Sequence, residues 1–185
     1  MARDTLNRMA IPKYSKLEFE RKWLVPATYV ELLEGSPHFL IEDLYLSCGR
    51  LRLRSMTDSE TGEKTFKLCK KYGAISKNSE PIVNIYLTEY EYCGLGKLAG
   101  AVIKKKGYKR LFEEQKFSMD AFQGALRGLI LCEIEANSEV ALMKIVKPPI
   151  AIVEVTERAE FNGGNLCRLT SDEIRKLLEL FAPEH

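Results

Sequence analysis

The chain has 185 residues, 45% hydrophobic and 29% charged, with a formal net charge of +2. That composition is ordinary for one globular domain over residues 1–185, and no apolar run is long enough to cross a membrane. The small net charge gives no general electrostatic case for nucleic acid or an anionic membrane, so a charge-driven function must come from local clustering.

In chain order, residues 1–16 carry Arg3, Arg8 and Lys13 without the apolar stretch of a secretory signal, which makes a cytoplasmic location the expectation. The alternation in LEFERKWLV (17–25) predicts a strand with Glu18, Glu20 and Lys22 on one face and Phe19 and Trp23 on the other. Residues 26–34 read as a helix with proline in its first turn and Gly35 just past its end. Residues 40–47 and 48–56 are β-rich, SMTDSETGEK is a polar turn, and TFKLCKKYG (65–73) completes a hairpin.

PIVNIYL (81–87) is the next strand, and TEYEYCGL (88–95) a short helix opened by Thr88. Three further strands fall at 101–112, 116–122 and 129–136. A helix over 138–146, a strand over 150–157 and a helix over 170–181 complete the chain. Thr170 and Glu173 of that last helix have capping-box spacing, and Ile174, Leu177, Leu178 and Phe181 line one stripe. About eight strands and a few helices make an α+β domain that is predominantly antiparallel β. Five cysteines (Cys48, Cys69, Cys93, Cys132, Cys167), with no Cys-x-x-Cys pair, read as reduced thiols.

The charged strands repeat one pattern. By parity Arg50, Arg52 and Arg54 share a face, Lys104 and Lys106 share one, and Glu133 and Glu135 share one. On any single strand a solvated face explains this alternation. Several strands with like-signed neighbours need another reason, because like charges repel and solvated faces usually mix signs. A closed barrel supplies it: a lumen of lysine and arginine holds an anion, and clustered carboxylates hold a hard cation.

EFERKWLV also resembles the Glu-x-Glu-x-Lys signature of the CYTH superfamily, the triphosphate tunnel metalloenzymes. LRLR, the lysine in LCKKYG, KKK, MDAFQGALRGLILCEIEA and EVTERAEFNGGNLC match further motifs in order, over residues 17–167. The resemblance implies an eight-stranded closed β-barrel with flanking helices and a divalent-metal-dependent triphosphatase using Mg²⁺ or Mn²⁺. It implies metal and water-positioning roles for Glu18, Glu20, Glu133, Glu135 and Glu154. It implies a phosphate clamp of Lys22, Arg52, Arg54, Lys70, Lys104 and Lys106, with Glu18, Glu20, Lys22, Arg52 and Arg54 at the catalytic centre. Arg50 lies at the strand entrance, and Lys67 is out of phase with Lys70 unless the strand is bulged.

Three departures stand out. PIVNIYL replaces an Arg-x-Glu-x-Glu strand, Lys106 stands where arginine is common, and Arg158 where an acid is common. Within the family, a thiamine triphosphatase and an adenylyl cyclase are alternatives; outside enzymes, a nucleotide- or polyphosphate-binding module without turnover is the rival. A small-molecule triphosphate is the expected partner, with no nucleic acid or membrane, and a homodimer is left open. GLGKLAG has the spacing of neither a dinucleotide-binding turn nor a P-loop, and KKKGYKR reads as a basic strand end.

Overall fold

A computed structural model describes residues 11–181; the first ten residues of the segment weighed above as a leader lie outside the described residues. Nine strands alternate with short helices: β1 (Lys16–Val25), β2 (Phe39–Leu46), β3 (Leu51–Asp58), β4 (Lys64–Lys71) and β5 (Ser79–Leu87), then α1 (Glu89–Leu95), β6 (Gly100–Phe112), β7 (Gln115–Phe122) and β8 (Ile130–Ala136), and finally α2 (Glu139–Met143), β9 (Val153–Glu154), α3 (Gly163–Leu166) and α4 (Ser171–Glu179).

The sheet runs β5-β4-β3-β2-β6-β7-β8-β1-β9, and a further β1–β5 pairing closes eight of these strands into an antiparallel barrel. β1 makes the closure by pairing with β5 over Lys16–Phe19 and with β8 over Phe19–Val25. Because opposed residues share a face, the register from Glu18↔Glu80 round to Glu20↔Glu135 fixes which side chains enter the lumen.

The barrel is apolar outside and charged inside over much of its wall. The outward residues Trp23, Met119, Cys132 and Ile134 join Leu33 and Ala151 in a buried core cluster. Cover for this face comes from a 3-10 helix, Ala27–Leu33, in place of the expected α-helix; Gly35 follows it with φ +70°. Inside, one end is closed by Leu24, Leu131, Ile103 and Phe122, which pack with Phe161, Leu166 and Ile174. Thus α3 and α4 seal part of that end by hydrophobic burial.

The predicted capping box of Thr170 and Glu173 caps α4, and Thr88, expected to open a helix, forms a second capping box with Glu91 on α1. The expected strand over 150–157 shrinks to two residues. β5 pairs with Lys16–Phe19 on that edge of β1, and β9 pairs farther along it with Trp23 and Leu24. The helix expected over 138–146 shortens to α2, capped by the Ser138 side chain and followed by a segment leading into Pro148 and Pro149. All five cysteines are free thiols. Among the described residues no helix is long and apolar enough to cross a membrane.

Candidate functional site

The lumen is a cavity of about 320 Å³ whose lining includes charged side chains from β1, β2, β3, β4, β6, β7 and β8. Strict alternation on β1 delivers Glu18, Glu20 and Lys22 to it, and the same rule delivers Glu133 and Glu135 on β8 and Arg52 and Arg54 on β3. Seven of the expected site residues therefore meet in one space.

Carboxylate oxygens of Glu18, Glu20 and Glu135 lie within 4.8 Å of one another. Burial pushes the Glu20 carboxyl up, with added repulsion from Glu133 and Glu18, although Lys22 and Lys71 work in the opposite direction. Lys22 divides its ammonium between Glu20 at 3.0 Å and Glu133 at 3.2 Å. For Glu133, burial opposes ionisation, but Lys22 and Lys105 outweigh it and hold the carboxyl below its ordinary value. Lys71 reaches Glu18 at 2.8 Å and Glu80 at 3.5 Å.

A wall of cations faces this corner. Arg54 donates Nε and Nη2 to the two oxygens of Asp43 at 2.5 and 2.7 Å. The Nε of Arg52 is buried, lies 3.5 Å from Asp43 Oδ1 and has no hydrogen-bond acceptor. Lys105 pairs with Asp120, and Lys109 donates to Ser118 Oγ at 2.5 Å. Lys67 lies over the Tyr86 ring, 4.8 Å from its centroid. Among the described residues neither Lys67 nor Lys109 has a carboxylate partner.

Four expected site residues stand elsewhere. On β6 the inward set is Ile103, Lys105, Gly107 and Lys109, so Lys104 and Lys106 lie on the outer face. Lys104 is 62% exposed and paired with Glu42 at 2.8 Å; Lys106 is opposite Leu40 and Ala121. On β4, Lys67, Cys69 and Lys71 alternate without a bulge, which puts Lys70 outside, its ammonium over the Tyr72 ring. Glu154 is opposite Trp23 on the outer wall and forms a two-point pair with Arg21, at 3.0 and 2.6 Å.

For the three lysines the reason is that runs such as KKK and KK offer a lysine to both faces. Pairing with neighbouring strands, rather than the count of charges, chooses between them. Arg50 precedes β3 and packs on Gly73, lining an adjoining mouth cavity of about 610 Å³ that shares Tyr45, Arg52 and Lys71 with the lumen.

Sequence reasoning also missed Asp43, Lys71, Glu80, Lys105, Lys109 and Asp120. Glu80 opens β5 directly opposite Glu18, so this strand keeps one inward acid before Ile82 and Asn84. Counting from Ser79 instead of Pro81 would have found it. Asp43 and Asp120 could have been found from their two-residue spacing to Tyr45 and Phe122 only if the inward parity of β2 and β7 had been known.

No protein-family model matches the chain. In sequence it is 32% identical over 154 residues to an inorganic triphosphatase of Nitrosomonas europaea, an alignment spanning 80% of this chain and 95% of that protein. The crystal structure of the inorganic triphosphatase NE1496 superposes with a TM-score of 0.51 at 26% identity, covering 81% of this chain and 93% of the other. A second crystal structure, of the hypothetical protein NE1496, gives a TM-score of 0.53 at 26% identity, with coverages of 83% and 99%.

Proposed function

The chain belongs to the CYTH superfamily, the triphosphate tunnel metalloenzymes, and we propose that it is a divalent-metal-dependent hydrolase that releases phosphate from inorganic triphosphate or a triphosphate-bearing compound. One observation carries this reading: a three-carboxylate corner and a wall of arginine and lysine face each other inside one closed tunnel.

The donor set fits a hard cation. It is made of oxygen alone, and burial holds Glu20 in a state of raised proton affinity that a cation in the corner would relieve. Glu18, Glu20 and Glu135 would hold Mg²⁺ or Mn²⁺. Such an ion neutralises phosphate charge and makes water a better nucleophile.

Phosphoryl transfer needs charge neutralisation and in-line positioning more than covalent chemistry from the protein. Arg52 has a buried Nε without an acceptor and offers a fork suited to two phosphate oxygens. Lys67, Lys105 and Lys109 carry the anion along the wall, and Arg54 contributes the N–H groups that Asp43 leaves free. Lys22 stands between Glu20 and Glu133 at the junction of corner and wall, where it meets both the substrate and the carboxylates. Lys22, Arg52, Arg54 and Lys105 are largely shielded from bulk water, so their charges act more strongly than they would at a surface. A cytoplasmic location and a free small-molecule triphosphate, with neither nucleic acid nor membrane as partner, complete the proposal; a homodimer is compatible with it.

A second reading, a module that binds triphosphate without turnover, is favoured by Ile82 and Gly107. Both are uncharged residues at inward positions, Ile82 two residues after Glu80 on β5 and Gly107 between Lys105 and Lys109 on β6. At Gly107 a Cβ would meet Ile41 Cδ1 at 2.7 Å, so no longer side chain enters there without displacing Ile41.

Phosphate release from tripolyphosphate, ATP and thiamine triphosphate with Mg²⁺ or Mn²⁺ separates the two readings, with Glu20→Gln and Arg52→Ala as controls. Turnover lost in both folded variants supports the hydrolase. Thermal stabilisation by tripolyphosphate without turnover transfers the tunnel to the binding module.

A further inference from the structure

Asp43 is an acid set between the arginines and Lys105 of the cationic wall. It is 1% exposed, both its oxygens accept from Arg54, and it lies 3.5 Å from Arg52 and 3.9 Å from Lys105. We propose that Asp43 is a positioning residue that orients the Arg54 guanidinium of the clamp while weakening the tunnel's hold on the bound triphosphate. The inference rests on the reading of the lumen as a triphosphate site.

The geometry gives it two opposed effects. By accepting from Nε and Nη2 of Arg54, Asp43 fixes that guanidinium in one plane and leaves Nη1 and the second N–H of Nη2 for the lumen. Arg52 is not hydrogen-bonded to Asp43, so its fork stays available although the carboxylate lies beside it. Asp43 is also a fixed negative charge next to a multiply negative ligand, in a site shielded from water, and it repels that ligand. Its carboxyl is held down to about 2: burial acts against ionisation, and Arg54, Arg52 and Lys105 overcome it. It therefore keeps its charge throughout the neutral range.

An orienting contact that also lowers ground-state affinity favours turnover. Only interactions stronger in the transition state accelerate the reaction, and a clamp that grips substrate and product too tightly does not. Asp120, the other acid on this wall, engages Lys105 and does not touch either arginine, so it does not share this arrangement.

The test is Asp43→Asn, which keeps the shape and removes the charge. Calorimetric titration with tripolyphosphate in the presence of a chelator reads affinity without turnover, and steady-state kinetics with Mg²⁺ reads kcat and KM. The expected result is a Kd tightened about fivefold or more, with kcat lowered about tenfold or more and KM lowered with it. Any other combination, above all a Kd that is unchanged or weaker, overturns the proposal.

If Asn at this position leaves Arg54 and Lys105 too poorly compensated to fold, the double variant Asp43→Asn/Arg54→Gln restores the net charge of the lumen. Its Kd should stay within about twofold of wild type if the two groups offset each other; a loss of about tenfold would make Arg54 a principal ligand and overturn the proposal. A wild-type protein that binds no tripolyphosphate overturns the tunnel reading and this inference together. One that binds it while the variant binds no tighter overturns this inference alone.

Discussion

The two sides of the tunnel handle buried charge differently. On the β1–β8 side Glu18, Glu20 and Glu135 converge within 4.8 Å; Lys22 pairs with Glu20 and Lys71 with Glu18. On the β2–β3–β6 side the cations are in the majority, and Asp43 and Asp120 compensate some of them almost completely. Burying a charge costs several kcal/mol unless it is paired and hydrogen-bonded. The carboxylate side leaves part of that cost uncompensated, visible in the raised Glu20, and a cation removes it. The cationic side leaves its surplus at Arg52, Lys67 and Lys109, and an anion removes that. The lesson is that complementarity to a metal–triphosphate pair lies in what each side leaves unpaired, more than in how many charges it holds.

The most damaging way to break the comparison is to delete one charge from each side. Glu20→Gln should lower kcat by about a hundredfold or more and abolish the response to added Mg²⁺, and Arg52→Ala should cost about 2–4 kcal/mol in kcat/KM. Phosphate-release assays on folded protein check both, and retention of metal-stimulated turnover in Glu20→Gln would remove that residue from the cation corner.

A smaller effect sharpens the assignment of the cationic side. Lys105→Met should lower kcat/KM by about tenfold or more, whereas Lys104→Met should leave it within about twofold, since Lys104 reaches outward to Glu42. The reverse order would show that β6 presents its other face to the lumen.

Acid titration addresses the compensation itself. The carboxyl of Asp43 lies near 2 in the folded protein against an ordinary 3.8, so its charge adds stability above about pH 4, and that contribution is lost as pH falls through about 2. Urea unfolding of wild type and Asp43→Asn should differ by about 2 kcal/mol near pH 6, from the titration contribution alone, and converge toward pH 2. A difference that does not change with pH would mean Asp43 acts by packing rather than charge.

The smallest change is expected on the outer wall. Glu154→Gln should cost less than about 1 kcal/mol of stability and leave the metal dependence of turnover unchanged, because its partner is Arg21 at the surface. A weakened metal response in that variant would place Glu154 in the corner after all.

Much of the site was legible from β1, β3 and β8. In LRLR of β3 and CEIE of β8 charged and apolar residues alternate without a break, and in EFERKW of β1 only Arg21 departs from alternation, so a period of two fixes the inward face once one member is placed. EFERKWLV, LRLR and CEIE could be read in only one phase, and their charges do meet in the lumen. The helix caps at Thr88 and Thr170 were equally readable, because a capping box is completed within four residues.

The sequence by itself determined which strands alternate, that their charges segregate by sign and where two helices begin. Tertiary structure alone decided the phase of β4 and β6, where consecutive lysines satisfy either face, the short extent of β9 along β1, and the inward placement of Asp43 and Glu80. The physical reason is one of range. Alternation and capping are written in neighbouring residues, whereas the face a strand turns inward is set by hydrogen-bond register with strands distant in the chain, and a one-residue slip in that register exchanges lumen for solvent.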